Sequence, residues 1–255
     1  MKIALIQYSP VWENIDANLQ TLTYKINQLE SDVDLVVLPE MFSTGFSMKP
    51  EPIAETENGK AVQWMIEIAK SKQVAITGSL IIEENKSYYN RLFFVFPDGS
   101  YKTYNKKHLF SLAGEEKIYE PGNEKLIINY KGWNICPLIC YDLRFPVYSR
   151  IVDHAYDLLI YVASWPDQRI YAWDSLLKAR AIENMSFVVA VNRSGEDAFN
   201  NNYSGHSQVI DYMGQFLQEP MIDVQIVVVT LEKEGLVKAR NRFAFLNDAD
   251  KFKLL

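Results

Sequence analysis

The hydrophobic pattern alternates between short, almost entirely apolar runs and longer stretches with apolar residues at helical spacing. A short apolar run predicts a strand buried on both faces, and apolar residues three or four positions apart predict a helix with one buried face. The predicted helices cover residues 14–30, 59–72, 146–155 and 170–184. The predicted strands cover residues 3–8, 34–40, 74–83, 91–96, 101–104, the run that ends at Cys140, 157–164, 187–192 and 224–231, with a further hairpin at residues 208–217.

Two turn signals divide neighbouring strands into hairpins. Residues 97–100 read Pro-Asp-Gly-Ser and residues 212–215 read Tyr-Met-Gly-Gln, and each stands between apolar runs. Because hairpins are interleaved with runs that follow helices, the sheets should be mixed. The similar runs at 34–40 and 157–164 indicate two α/β halves. We therefore predict one domain, residues 1–255, of the α/β class: a four-layer αββα sandwich with two mixed sheets facing each other and helices outside.

Composition limits the partners and the compartment. The chain has 255 residues, a formal net charge of −6 and no block of basic residues, which argues against nucleic acid and anionic membranes as partners. No apolar stretch approaches the length of a membrane span. The first residues enter a strand-like run without the cleavage site of a secretory leader, and the chain contains only 2 cysteines. We expect a cytoplasmic protein in a reducing compartment.

Cys140 stands where a buried strand is predicted to end. Polar residues and Pro146 follow it at once, which predicts a thiol on a sharp turn into a helix, where the helix N-terminus favours the thiolate. The ordinary alternative is a buried core cysteine, and Cys136 is interpreted in that way. A disulfide between the two is excluded, because four strand residues span about 13 Å and bridged Cα atoms lie within about 7 Å. No second cysteine pair or histidine pair completes a zinc site.

Two further segments place charged groups at strand ends. Glu40 directly follows an apolar run, so its carboxylate is expected to be poorly solvated and suited to proton transfer, unless it is simply a solvated strand end. Lys106 and Lys107 lie between a strand and an apolar cluster; either one points inward or both are solvated. A glutamate, a lysine and a cysteine together supply a base, a cation for an oxyanion and a nucleophile.

These segments resemble the motifs of the nitrilase superfamily, the carbon–nitrogen hydrolases. Residues 38–42 (Leu-Pro-Glu-Met-Phe) are similar to the family's glutamate motif, residues 106–110 (Lys-Lys-His-Leu-Phe) to its lysine motif, and residues 139–146 (Ile-Cys-Tyr-Asp-Leu-Arg-Phe-Pro) to its cysteine motif. The three occur in the family order and at family-like spacing. The resemblance implies an αββα sandwich, no metal or organic cofactor, and a homodimer.

The resemblance also implies the roles of individual residues. Glu40, Lys106 and Cys140 would form the triad; Lys106 is chosen over Lys107 because the family's lysine lies two residues before His108. Glu40 would take the thiol proton, Cys140 would attack an amide carbonyl carbon, and a thioester would form and be hydrolysed.

Two further groups are assigned on the same basis. The backbone N–H of Tyr141 would hold the oxyanion beside the lysine ammonium. A second glutamate that precedes a Pro-Gly turn usually supports the triad. Glu115, ahead of residues 121–122, is the better candidate, although the adjacent Glu116 leaves the alignment ambiguous.

The cysteine motif most resembles the omega-amidase branch, and residues 161–166 and 179–184 support the same branch. Such enzymes hydrolyse the terminal amide of 2-oxoglutaramate and 2-oxosuccinamate, so a small-molecule amide is the expected partner. Arg144 could bind the substrate carboxylate bidentately, or it could form a structural ion pair with Asp142. Trp165, Phe42 and Phe46 could wall a small pocket, or they could belong to the core.

Three alternatives remain open from the sequence. A different carbon–nitrogen substrate, such as an N-carbamoyl amide or a nitrile, would not depend on Arg144. A Cys-His hydrolase would use His108, His154 or His206. A non-catalytic binding or assembly protein could share the scaffold.

Overall fold

The computed structural model describes residues 1–153, 155–250 and 252. In that part of the chain helices and strands alternate along most of the length. The helices are α1 (Ile15–Asn27), α2 (Lys60–Lys72), α3 (Pro146–Ser149), α4 (Ile170–Asn184) and α5 (Lys233–Phe243). The strands are β1 (Lys2–Gln7), β2 (Leu35–Val37), β3 (Ala75–Glu84), β4 (Ser87–Val95), β5 (Tyr101–Asn105), β6 (Ile128–Tyr130), β7 (Trp133–Ile139), β8 (Leu158–Ala163), β9 (Phe187–Asn192), β10 (Ser194–Glu196), β11 (Asn202–Ser204), β12 (Gln208–Ile210), β13 (Phe216–Gln218) and β14 (Gln225–Thr230).

The strands form two mixed sheets of six strands each. The first sheet has the order β14-β1-β2-β3-β4-β5 and the second β13-β12-β9-β8-β7-β6, with a separate hairpin of β10 and β11. In the first sheet β1, β2 and β3 run parallel and the outer strands antiparallel; in the second, β7, β8 and β9 are the parallel strands. The predicted α/β fold with two mixed sheets is confirmed.

The alternation of side chains along each strand builds the layers. On β1, Ile3 and Leu5 pack in the core between the sheets, whereas Ala4 and Ile6 pack on the other face beneath helices α1 and α2. Successive strand residues point to opposite faces, so a strand with both faces covered must be apolar throughout. Helix α4 contacts β9 and β12 on the outer side of the second sheet. The order of the layers is therefore helix, sheet, sheet, helix.

One predicted helix is much shorter than expected. The prediction at 146–155 corresponds to α3, which ends at Ser149, and is preceded by a 3₁₀ segment over Cys140–Arg144. Arg150 turns away with an extended ψ of 133°, and the N–H of Ile151 donates to the side chain of Asn184 at 2.8 Å instead of continuing the helix. A tertiary hydrogen bond thus replaces the helical one.

Helix α5 has no counterpart among the predicted elements. It buries only Leu236 and Ala239, and six of its eleven residues are charged or polar, so its apolar face is narrow. Arg240 fixes it in place by donating to Asp157 at 3.3 Å and to the carbonyl of Tyr156 at 2.9 Å. Within the described ranges, no helix combines the length and the apolar character needed to cross a membrane.

Candidate active site

Chain segments that follow four strands meet at one end of the sandwich. Glu40 comes after β2, Lys106 directly after β5, Cys140 directly after β7 and Ser164 directly after β8. Since β2 belongs to the first sheet and β7 to the second, the glutamate and the thiol approach each other across the interface of the two sheets. The parallel strands of each half end at the same edge, which brings together residues distant in sequence.

A buried cluster of charges occupies this edge. Lys106 Nζ lies 2.8 Å from Glu40 Oε1 and 2.8 Å from Glu115 Oε2, and the three side chains are 0–1% exposed. Asn90 donates to Glu40 Oε1 at 2.8 Å and to Glu115 Oε1 at 3.3 Å. The N–H of Ser164 donates to Glu40 Oε2 at 2.8 Å. Both oxygens of Glu40 are therefore held in fixed directions.

Burial and mutual charge set the protonation of the cluster. Burial alone would lower the pKa of Lys106, but the Glu115 and Glu40 carboxylates outweigh it and raise that pKa, so the ammonium form persists. Burial raises the pKa of the Cys140 thiol well above its usual range, and the nearby Glu40 charge adds to the effect while Lys106 opposes it. The Cys140 thiol is therefore neutral, and it would need a base before it could act as a nucleophile.

Glu115 is the carboxyl group that completes this cluster. Burial is the main cause that raises its pKa, and Lys106 opposes that shift. Its Oε2 also accepts from the N–H of Phe110 at 2.6 Å. The adjacent Glu116 is exposed, and Lys107 is only partly buried, with its Nζ 3.4 Å from Asn123. The geometry thus favours Glu115 over Glu116 and Lys106 over Lys107.

Cys140 stands on a strained turn. Its φ of 43° lies in the left-handed region, which costs free energy for a residue with a side chain and marks positions that the surroundings hold in place. The fully buried Asp142 stabilises the turn by accepting from the N–H of Ile139 at 3.0 Å. It also accepts from Tyr104 at 2.7 Å and from the N–H of His108 at 3.0 Å. One carboxylate therefore ties the cysteine turn to the lysine segment.

A cavity of about 390 Å³ opens directly above the cluster. Lys106 and Cys140 lie among its lining residues, and the fourteen others include six aromatic residues, two arginines and one aspartate. The other lining residues are Phe46, Met48, Phe110, Ala113, Tyr141, Arg144, Ser164, Trp165, Pro166, Arg169, Asp197, Phe199, Asn201 and Tyr203. The volume suits a small molecule.

The predicted substrate-contacting residues divide into two groups. Tyr141, Arg144 and Trp165 line the cavity, and the Arg144 guanidinium lies 4.8 Å from the centre of the Trp165 ring. Asp142 is not the partner of Arg144; its oxygens are taken by the Tyr104 hydroxyl, the His108 ring and backbone N–H groups. The alternative ion pair between Arg144 and Asp142 is therefore wrong.

Phe42 is the predicted pocket residue that does not reach the cavity. It is fully buried on the outer face of the first sheet, beneath the helices, where its ring packs 5.8 Å from that of Trp64. The prediction that Phe42 lines the substrate pocket is therefore wrong, because the chain direction after Glu40 turns this side chain into the core. Phe46, four residues later, lines the cavity.

The histidines do not supply a partner for the thiol among the residues that the structure describes. His108 Nδ1 lies 2.8 Å from Asp142 Oδ1, and His206 Nδ1 lies 2.9 Å from Asp174 Oδ2. Neither side chain lines the cavity. His154, the third candidate, lies outside the described residues. The Cys-His arrangement thus finds no support at His108 or His206.

Three residues of the site were not predicted from the sequence. Asn90 is a buried polar residue within β4; it stands next to Arg91 and just before the predicted strand, which begins at residue 91, so the hydrophobic pattern carries no signal for it. Ser164 acts through its backbone N–H, which leaves no sequence signature. Arg169 lies near the start of α4, where a cation has no obvious structural task in the sequence.

Comparisons with known proteins agree with this geometry. The family model described as carbon-nitrogen hydrolase matches residues 2–241. The chain is 37% identical over 261 residues to an omega-amidase from Yersinia enterocolitica, covering 100% of this chain and 99% of the relative. It is 31% identical over 253 residues to a 2-oxoglutaramate amidase from Bacillus subtilis, covering 98% and 97% of the two chains.

A solved structure is similarly close. A carbon–nitrogen hydrolase superfamily protein from Xanthomonas campestris, with an arsenic adduct in its active site, superposes with a TM-score of 0.98 at 40% identity. The alignment covers 100% of this chain and 99% of that one. Fold, full-length relatives and family match agree: the chain belongs to the carbon–nitrogen hydrolase family.

Proposed function

We propose that the protein is an omega-amidase that hydrolyses the terminal amide of small 2-oxo acid amides, such as 2-oxoglutaramate and 2-oxosuccinamate, to the acid and ammonia. One observation carries the proposal: the buried cluster of Glu40, Lys106 and Glu115 lies next to Cys140, and Lys106 and Cys140 line a cavity that also contains the cation of Arg144. Two relatives named as amidases of this kind add support.

The first half of the proposed reaction forms a thioester. Because burial keeps the Cys140 thiol protonated, Glu40 must take the proton as the sulfur attacks the amide carbonyl carbon. The negative charge that develops on the carbonyl oxygen is stabilised by the ammonium of Lys106 and the backbone N–H of Tyr141. Glu115 and Asn90 keep Lys106 and Glu40 oriented through contacts of 2.8–3.3 Å.

The second half releases the products. Collapse of the tetrahedral intermediate breaks the carbon–nitrogen bond, and Glu40 returns the proton so that ammonia leaves. Glu40 then takes a proton from a water molecule that attacks the thioester carbon. The carboxylic acid leaves as the sulfur recovers its proton, so one amide and one water give one acid and one ammonia.

The carboxylate at the far end of the substrate would bind Arg144. A planar guanidinium can donate two parallel hydrogen bonds to a carboxylate. Stacking on Trp165 at 4.8 Å holds this group in one orientation before the substrate arrives, which reduces the entropy lost on binding.

Ammonia release from 2-oxoglutaramate tests the proposal directly. We expect turnover by the wild type and none by Cys140→Ala, with a thioester on Cys140 detectable by mass spectrometry after rapid acid quenching. Hydrolysis of nitriles or N-carbamoyl amino acids in place of 2-oxoglutaramate would instead identify a different carbon–nitrogen substrate. Absence of any covalent adduct with all three classes would favour a binding protein.

Glu40→Gln distinguishes the proposed base from a histidine. The amide keeps the shape of the side chain but cannot accept the thiol proton, so kcat should fall by a factor on the order of 100 or more. A Cys-His enzyme would retain most of its activity in this variant, and the same loss in His108→Gln or His206→Gln would then identify the base.

The proposal includes a homodimer, as the family resemblance implies, in the cytoplasm, as the low cysteine content suggests. Light scattering after size-exclusion chromatography should give twice the 29.4 kDa of one chain. A monomer at micromolar concentration would contradict it.

A further inference from the structure

Arg169 lies in the cavity in addition to Arg144, and it has no role in the reaction proposed above. It lines the cavity together with Arg144 and Cys140. It lies near the start of α4, on a different segment from the cysteine turn that carries Arg144. Two guanidinium groups from separate segments therefore face one small space.

Both guanidinium groups lack a partner within the described part of the chain. Neither Arg144 nor Arg169 donates a side-chain hydrogen bond or forms an ion pair there, although both are partly buried. The other arginines that are not exposed all donate to a carboxylate or a carbonyl; they are Arg91, Arg150, Arg180, Arg193 and Arg240. A partly buried cation without an anion is costly, so the two exceptions indicate a place for an anion from outside the chain.

The aromatic wall holds the two arginines in defined positions. The Arg169 guanidinium lies 5.1 Å from the centre of the Phe110 ring, and Arg144 lies 4.8 Å from that of Trp165. Trp165 Nε1 donates to the backbone carbonyl of Arg169 at 2.8 Å. The ring that supports Arg144 is thus bonded to the segment that carries Arg169. Phe110 in turn packs at 5.0 Å against Tyr141, the neighbour of the nucleophile. Stacked guanidinium groups keep their edges free for a bidentate ligand.

Asp197 is the one carboxylate among the described residues that line the cavity, and its oxygens are already engaged. They accept from Asn201 Nδ2 at 2.9 Å, from the Tyr203 hydroxyl at 3.0 Å and from the N–H of Phe199 at 2.8 Å. These bonds organise the loop between β10 and β11. Asp197 therefore shapes one side of the cavity and does not neutralise either arginine.

We propose that Arg169 is a specificity-determining residue that binds, together with Arg144, the 2-oxo carboxylate end of the substrate. This inference rests on the proposed function. A 2-oxo carboxylate presents three acceptor oxygens on two adjacent carbons, which is more than one guanidinium fork can satisfy. Arg144 and Arg169 supply two forks, so the pair recognises amides with an anionic end and rejects those with a neutral end.

Three substrates of matched length test the assignment: 2-oxoglutaramate, glutaramate without the oxo group, and the neutral methyl ester of glutaramate. Arg169→Gln should lower kcat/KM for 2-oxoglutaramate by about 10- to 100-fold, mostly through KM, because one charge-assisted pair of hydrogen bonds is lost. The ester should change by less than about twofold, because it does not use that pair. Arg169→Lys should recover part of the loss, and Arg242→Gln, on the exposed surface, should have no effect.

A structural role for Arg169 predicts a different pattern. If Arg169→Gln lowers kcat/KM equally for acid and ester, or leaves both unchanged, the proposal is wrong. If the wild type hydrolyses glutaramate but not 2-oxoglutaramate, the proposed 2-oxo substrates and the recognition of the oxo group both fail. If Arg169→Gln then lowers kcat/KM about tenfold more for glutaramate than for its methyl ester, Arg169 recognises the carboxylate alone.

A measurement without turnover separates this inference from the proposed function altogether. 2-Oxoglutarate, which carries the same end group, should slow the alkylation of Cys140 by iodoacetamide in the wild type. In Arg169→Gln the concentration needed for half protection should rise by about 10-fold or more. Equal protection in both proteins would overturn the role of Arg169 even if 2-oxoglutaramate is hydrolysed.

Discussion

Three buried charged side chains in contact dominate the site at the scale of single residues. Moving a carboxylate out of water costs several kcal/mol per ion, and attraction repays this only where geometry and additional hydrogen bonds are good. Lys106 meets that condition, because it contacts two carboxylates at 2.8 Å, and Asn90 and backbone N–H groups satisfy their other oxygens. The cluster holds an ammonium and a base in fixed positions before any substrate is present.

Glu115→Gln should lower kcat on the order of 100-fold, because the amide no longer holds the Lys106 ammonium in position. The Cys140 thiol should remain accessible to alkylation, since Glu115 does not touch it. Steady-state kinetics of ammonia release measures the effect, with circular dichroism to establish folding.

Glu116→Gln is the matched control, because the neighbouring carboxyl group is exposed. It should retain wild-type kcat. Equal activity of the two variants would show that Glu115 does not position the lysine.

At the scale of elements, the site depends on what happens just beyond the strand ends. Met41, next to Glu40, and Cys140 both have positive φ, 44° and 43°. The N–H of Met41 donates to Ser79 Oγ at 2.9 Å. The turn at Cys140 is held by Asp142, which accepts from the Tyr104 hydroxyl and from the N–H groups of His108 and Ile139. Turns that would be unfavourable alone are thus maintained by bonds to neighbouring segments.

Gly122→Ala should disturb the lysine segment. A Cβ at this position would meet the backbone oxygen of Asn105 at 2.2 Å, and the N–H of Gly122 donates to the carbonyl of Lys106 at 2.9 Å. We expect a loss of about 1–3 kcal/mol in the free energy of unfolding together with a fall in kcat, since Lys106 must shift. Urea denaturation and steady-state kinetics measure the two effects.

Gly132→Ala provides the comparison for that variant. Its φ is 77°, so the substitution is strained, but nothing lies within 4 Å of the added Cβ. It should lower stability while leaving kcat unchanged. A Gly122→Ala enzyme with normal kcat would show that this turn does not position Lys106.

At the scale of the whole molecule, the two sheets enclose a core that extends up to the site. Cys136 lies in that core, fully buried, four residues before Cys140, and both cysteines are free. Burial raises the pKa of Cys136 from 9.0 to about 12. The same hydrophobic interior surrounds both cysteines and keeps Cys136 inert. Cys140 differs because the Glu40 carboxylate and the cavity adjoin it.

The stability of the fold should decrease at alkaline pH partly through Cys136. Between pH 9 and 12 the unfolded chain loses this proton while the folded protein keeps it, so the unfolded state is favoured as pH rises. Cys136→Ala removes this contribution. The fall in free energy of unfolding between pH 8 and pH 10.5 should therefore be smaller in the variant, by about 2 kcal/mol.

Urea denaturation of both proteins at the two pH values measures the difference. Below pH 8 the two stability profiles should be parallel, because the thiol is protonated in both states. If the free energy of unfolding falls equally in the two proteins between these pH values, the pKa of Cys136 is the same in the folded and the unfolded state, and the prediction is wrong.

The sequence by itself determined most strands, most helices and the family, but not the short strands β6, β10 and β11. Runs such as residues 158–163 are apolar throughout because both faces are covered, and this property is local enough to be recognised from sequence. Helix α4 was predicted with its observed bounds, 170–184. The three motifs around Glu40, Lys106 and Cys140 likewise depend on short segments. Where an element has only a narrow apolar face among many charged residues, as α5 does, or ends through a distant partner, as α3 does at Asn184, local pattern carries little signal.

Only the tertiary structure decided which side chains share the cavity and which charges have partners. Phe42 and Phe46 look alike in the sequence, yet one packs beneath the helices and the other lines the cavity. Asn90 and Ser164 act through directions fixed by strands far apart in the chain. Arg144 and Arg169 become informative only because the other arginines that are not exposed have acceptors and these two do not, within the described residues. Hydrophobic patterning is a property of neighbouring residues, whereas charge compensation depends on distances in space.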